Sequence, residues 1–150
     1  MPLPPQKTRL VRLKIPQYFL LAASIFALAS CSNGAESSLG VSQILLGGQV
    51  NARDEIEQSQ TEFPPEQTMI HAHAFVTGLS ASTLVRAEWW FDSDEAPKKI
   101  YETSVTLTPD RPVAKFSLQS TKQWPVGDYR FLLFSAEDQI GETEFEVTEE

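Results

Sequence analysis

One cysteine and two histidines are all the chain offers of the side chains that most often bind metals or form crosslinks. A single cysteine excludes an intramolecular disulfide, so an exported domain of this size has to be held together by its core. It equally excludes a zinc site built on a cysteine cluster. Long apolar runs are missing too: Tyr18 to Leu28 supplies about eleven largely apolar residues, too few to cross a hydrocarbon layer of ~30 Å comfortably. Basic residues are scarce once the N-terminus is set aside, since residues 31–150 keep eight of them against all twenty acidic ones, a formal charge of −12. That sign repels phosphate backbones and anionic headgroups, which argues against nucleic acid as a partner and against polybasic docking to a membrane. From Thr68 onward no stretch has helical periodicity, and no glycine-rich loop opens a helix in the way phosphate binding requires.

What is present begins with charge order. Lys7, Arg9, Arg12 and Lys14 precede the apolar run, and no acidic residue occurs before Glu36. This is the layout of a secretory leader, basic end retained and following chain exported. The run ends in Leu28-Ala29-Ser30-Cys31, an aliphatic residue and two small ones before the sole cysteine. Small side chains let the segment thread a protease site in extended form, and a thiol can be alkylated to a stable thioether. The motif resembles the lipobox of bacterial lipoproteins. The resemblance implies a signal peptide over 1–30, cleavage between Ser30 and Cys31, and lipid attachment at Cys31, the membrane then being a partner through that lipid. Ser32 stands where an Asp favours inner-membrane retention, so the expected address is the outer membrane of a Gram-negative cell, or otherwise the outer face of the plasma membrane. An ordinary cleaved leader with a coincidental cysteine and an uncleaved anchor are the alternatives.

Residues 31–63 read as a lipidated N-terminus and tether: Ser32 to Gly40 is rich in Ser, Gly and Asn, and Asn51 to Gln67 is polar and expected to be irregular. Ile44-Leu45-Leu46 makes the stretch near 43–50 either a first edge strand or a sticky part of the tether. From 64 to 150 short strands alternate with turn signals, expected over Thr68–Thr77, Thr83–Phe91, Lys99–Thr108, Val113–Gln119, Asp128–Ala136 and Gln139–Thr148. Period-two alternation points Val85, Ala87, Trp89 and Phe91 to one face and Arg86, Glu88, Trp90 and Asp92 to the other. Ala114, Phe116 and Leu118 share a face, as do Thr143, Phe145 and Val147. The glutamates between the latter give the last strand a charged outer side, as suits a sheet edge. Six strands and a candidate seventh predict an all-β, two-sheet sandwich.

Gly127-x-Tyr129 at the start of a strand resembles the tyrosine corner of immunoglobulin-like sandwiches. The wider pattern Trp124-Pro125-x-Gly127-x-Tyr129, followed by Gly141-x-x-x-Phe145-x-Val147, is similar to small bacterial immunoglobulin-like domains. The resemblance implies about seven antiparallel strands, a Tyr129 hydroxyl bonded back to the preceding loop, and Phe131 where antibody domains carry a disulfide cysteine. It implies no activity, because such sandwiches host unrelated functions.

His71 and His73, two apart on a strand, face the same way and could share a metal if a Glu or Asp supplied a third ligand. The alternative is a pair of surface or partly buried strand histidines. Ser80 lies in Gly78-Leu79-Ser80-Ala81-Ser82, which lacks the second glycine of a nucleophile elbow and joins two strands. Carboxylates are too abundant for any pair to signal acid–base catalysis. Trp90, on a polar face beside Arg86 and Glu88, is the candidate binding anchor; alternatively a segment carrying Tyr101 or Phe63 covers it. The expectation is a non-catalytic, lipid-anchored envelope protein without cofactor that binds a protein partner, with a metal-binding protein using His71 and His73 as the alternative.

Overall fold

The computed structural model describes residues 38–149. Eight strands follow in order: β1 Gly40–Gly47, β2 Glu62–Phe63, β3 Met69–Thr77, β4 Thr83–Asp92, β5 Pro97–Leu107, β6 Val113–Gln119, β7 Gly127–Ser135 and β8 Asp138–Val147. They build a three-stranded sheet ordered β1-β3-β6 and a five-stranded sheet ordered β2-β8-β7-β4-β5. All strand pairs are antiparallel except β2 with β8, which is parallel.

Alternation produces this packing directly. In β6, Ala114, Phe116 and Leu118 are buried while Lys115, Ser117 and Gln119 are exposed. In β4, Val85, Ala87 and Trp89 are fully buried, which fixes Trp89 in the core and Trp90 outside. Small residues on one sheet make room for large ones on the other. Ala72, Ala74 and Ala114 line the three-stranded sheet, and Trp89, Phe131 and Phe145 fill the gap from the five-stranded one. Trp89 meets Phe131 edge-on at 4.7 Å and Phe145 at 6.0 Å, and Phe116 reaches across to Phe131 at 5.7 Å. With ring burial worth ~1.5–3 kcal/mol each, this cluster supplies the cross-sheet cohesion that no disulfide provides. Trp89 Nε1 is the one buried side-chain polar atom without a partner among the described residues.

The tyrosine corner is formed. Tyr129 donates its hydroxyl to Pro125 O at 2.7 Å, and burial pushes its pKa up to about 12, so it stays a donor. Gly127 enters the strand at φ +140°, and a Cβ there would sit 3.1 Å from Phe91 Cε2. Trp124 closes the corner from above by donating its Nε1 hydrogen to Gln67 O.

Two expectations need correction, and one left open is decided. The stretch near 43–50 is a true strand from Gly40 onward, because Leu46 is buried and Val41 and Ile44 pack on the core. The sandwich therefore takes in residues assigned to a 31–63 tether. Within the polar 51–67 stretch, Phe63 is 1% exposed and inserts beside Phe145 at 5.6 Å, which draws out the short β2. That parallel strand pairs only with Glu146 and Val147, so among the described residues the rest of β8 pairs with β7 alone and keeps the free edge its glutamates suggested. The β7–β8 turn is the tight Ala136-Glu137 connection between Ser135 and Asp138, and Gly141 lies inside β8. Gly141 is required there because a Cβ would come 2.9 Å from Val41 Cγ2, where β1 crosses close to β8.

Candidate functional site

The outer face of the five-stranded sheet carries Arg86, Glu88 and Trp90 from β4 beside Arg130, Leu132 and Phe134 from β7. Glu88 is only 6% exposed, and a carboxylate so covered requires donors. It has three: Arg86 Nη1 at 2.6 Å, Trp90 Nε1 at 2.9 Å and Lys99 Nζ at 3.4 Å. Lys99 also donates to Glu102 at 2.5 Å, a bond that raises the lysine pKa and lowers that of the glutamate. The Arg86 guanidinium lies 4.7 Å over the Phe134 ring, and Leu132 is covered between these polar side chains. Trp90 is thus pinned by its ring nitrogen with Lys99 at 6.0 Å from its ring, while part of the indole remains in solvent. Neither proposed cover reaches it: Phe63 is in the core, and Tyr101 pairs with Trp89, not Trp90.

Farther along the same face, register aligns four carboxylates on one rung. Glu62 opposes Glu146, Glu146 opposes Asp128, and Asp128 opposes Asp92. Directly opposed like charges are destabilising, by ~0.2–1 kcal/mol per pair. Only Asp92 of the four has a cation among the described ion pairs, the bidentate Arg130 at 2.7 Å from each oxygen. That bond raises the Arg130 pKa. The rung borders a polar depression of about 410 Å³. Sequence patterning identified Trp90, Arg86 and Glu88 as a shared face. It missed the rung, which only cross-strand register reveals.

His71 and His73 lie on the outer face of the other sheet, opposite Ser117 and Lys115 of β6. His73 is 4% exposed because residues 51–58 fold over it. Lys115 holds this strap, donating to the backbone O of Asp54 and pairing with its carboxylate at 3.1 Å. Beneath it, Leu45, Glu55, Ile56, His73, Phe75, Val113 and Lys115 line a hollow of about 410 Å³. Burial lowers the His73 pKa, with the Lys115 charge adding to the effect. Among the described residues no three His, Cys, Asp or Glu side chains converge as a metal site would need. Ser80 lies exposed in the β3–β4 connection. Cys31 falls outside the described residues.

The arrangement compares with known structures as follows. An immunoglobulin-like protein from Pseudomonas aeruginosa superposes with a TM-score of 0.51 at 17% identity, over 77% of this chain and all of the other. The fold is immunoglobulin-like. An alkylpurine DNA glycosylase from Pseudomonas fluorescens, bound to DNA with an abasic site analog, aligns over 73% of this chain and 30% of its own, with 11% identity and a TM-score of 0.46. That score is too low to carry any chemistry across. No protein-family model matches the chain, and no curated protein is significantly similar to it. In this immunoglobulin-like sandwich the part-exposed indole, the cation-covered Phe134 and the acidic rung share the outer face of the five-stranded sheet.

Proposed function

We propose that the chain is a lipid-anchored protein of a bacterial envelope, attached through Cys31, whose sandwich binds a protein partner without catalysis. Leu28-Ala29-Ser30-Cys31 after a basic and apolar leader supports the anchor. The observation that carries the binding role is Trp90, held in one orientation by a buried Glu88 while its ring stays partly open to solvent. An indole fixed in advance loses little conformational freedom on contact, and tryptophan is enriched among residues that dominate binding energy. Arg86 and Lys99 frame it. Partner recognition would centre on Trp90 and spread toward the acidic rung, which favours a basic rim on the other protein.

The test is site-specific photo-crosslinking from Phe134 in the membrane-bound protein. A defined adduct should form and be lost on Trp90→Ala, with His71→Ala unchanged. Adducts indifferent to Trp90→Ala would defeat this placement of the binding face.

A further inference from the structure

β5 ends the five-stranded sheet, and among the described residues it pairs only with β4. It is guarded as exposed edges are: Pro97 at its start, Lys98 and Lys99 next, and an extra residue, Ile100, bulged between the partners of Trp89 and Trp90. Yet Ile100 and Tyr101, at 37% and 45% exposure, leave apolar surface at the middle of the guarded strand. A lysine protects an edge because pairing would strand its charge. The protection lapses for a partner that brings a carboxylate opposite it.

The bulge determines which partner does so. Before it, Lys99 opposes Trp90 on the outer face and Lys98 opposes Phe91 on the inner one. After it, Glu102 opposes Glu88 on the outer face and Thr103 opposes Ala87 on the inner one. The extra residue resets the alternation, so the sequence of faces reads the same in both directions about the Ile100–Tyr101 bond. Without it, Lys99 and Glu102 would project from opposite faces; with it, they lie together and bond at 2.5 Å. Antiparallel pairing about a two-fold axis normal to the sheet requires opposed residues to share a face. β5 against itself meets this requirement, with Lys98 opposite the partner's Thr103, Lys99 opposite the partner's Glu102, and Ile100 against the partner's Tyr101.

We infer that β5 is a self-association edge, at which a second copy of this chain pairs antiparallel about Ile100 and Tyr101 and joins two five-stranded sheets into one. Two lysines and two glutamates then alternate in a ring across the axis, each neighbour of opposite sign. The acidic surplus opposes this only weakly. The glutamates of β8 are three strands from β5, roughly 14 Å at ~4.8 Å per strand, beyond the ~8 Å screening length of physiological salt. A single strand edge buries less than the ~1,200 Å² of a stable interface, so the dimer is reversible. The inference needs neither the anchor nor a binding role for Trp90, although Lys99 also borders that indole, so Ile100→Lys is the variant that leaves the Trp90 surround intact.

Sedimentation velocity of the full chain, in detergent with micelles in excess, tests it. The wild type should show a concentration-dependent monomer–dimer equilibrium. Lys99→Glu and Glu102→Lys should each weaken self-association about tenfold or more, equivalent to ~1.4 kcal/mol. A mixture of those two variants should recover dimers that neither forms alone, because each then opposes a charge of the other sign. Ile100→Lys, which leaves the charge ring intact, should weaken the dimer likewise, and thermal midpoints establish that each variant is folded. A wild type that stays monomeric at all concentrations overturns the inference, as does a mixture no more associated than its components.

Discussion

Trp89 is fully buried with its ring nitrogen unpaired, while the adjacent Trp90 donates its own to Glu88 and keeps part of its ring in solvent. The difference follows from which side of the pleat each occupies. An orphaned buried N–H costs ~1–3 kcal/mol, which the core accepts because the indole packs against Phe131 and Phe145. His73 shows a second way a polar group is taken out of water. It lies under the 51–58 strap, facing Lys115 of β6, Asp54 and Glu55 of the strap and His71 of its own strand, with only Leu45 lining the hollow from β1. Its pKa is below the ordinary 6.5, first through burial and then through Lys115. The folded chain therefore refuses a proton that the unfolded chain accepts, so stability falls as the pH drops from about 6.5 toward the folded value. The thermal midpoint should decline over that window, and amide exchange in 51–58 should rise. His73→Gln should flatten both responses; an unchanged slope in that variant would refute the assignment. Alternation along Thr83–Phe91 made the two tryptophans legible in the sequence. The burial of His73 was not, because it depends on a polar segment some twenty residues away folding back onto the sheet.

At the level of elements, long alternating strands were readable and short or irregular ones were not. β6 declares itself because one face is buried and the other is wet, and β4 because polar Arg86 and Glu88 alternate with apolar Val85, Ala87 and Trp89. β2 is two residues long and exists because Phe63 finds a place beside Phe145, a long-range fact with no local pattern. The glutamates of β8 suggested an edge, and over residues 138–145 the strand pairs with β7 alone among the described residues. The acidic rung needed register across four strands, which composition cannot supply. The β7–β8 turn has neither glycine nor asparagine at its two central residues, Ala136 and Glu137. That turn holds Ala136 at φ +52°, a left-handed conformation that costs a residue with a Cβ ~1–2 kcal/mol. Asparagine tolerates the region better without the chain entropy of glycine. Ala136→Asn should thus stabilise the hairpin by about 0.5 kcal/mol, a rise of roughly 2–4 °C in thermal midpoint. A lowered midpoint would mean that the strain is relieved by some other contact.

For the molecule as a whole, the proposed anchor and the sandwich divide the work. The five- and three-stranded sheets are joined by an aromatic core that contains no cysteine. Because β1 begins at Gly40, only residues 32–39 separate Cys31 from the sandwich, a span of roughly 30 Å at most when fully extended. An anchored copy would stay close to the bilayer and close to its neighbours, a confinement that raises the effective concentration of a weakly pairing β5 edge. Electrostatics give no help in holding it there, since residues 31–150 carry −12 and anionic headgroups repel them. Attraction would come from acyl chains alone, at ~0.8 kcal/mol per buried CH₂, and this term is insensitive to salt. The wild type should therefore remain with the membrane fraction through high-salt washing and leave it only with detergent. Cys31→Ser should incorporate no lipid label, whether it keeps its apolar leader uncut at the membrane or appears in the soluble exported fraction. Its sandwich should melt at the same temperature as the wild type, because Cys31 precedes every strand. Salt extraction of the wild type, or a lipid label that persists in Cys31→Ser, would refute the lipid anchor while leaving the fold and the Trp90 face untouched.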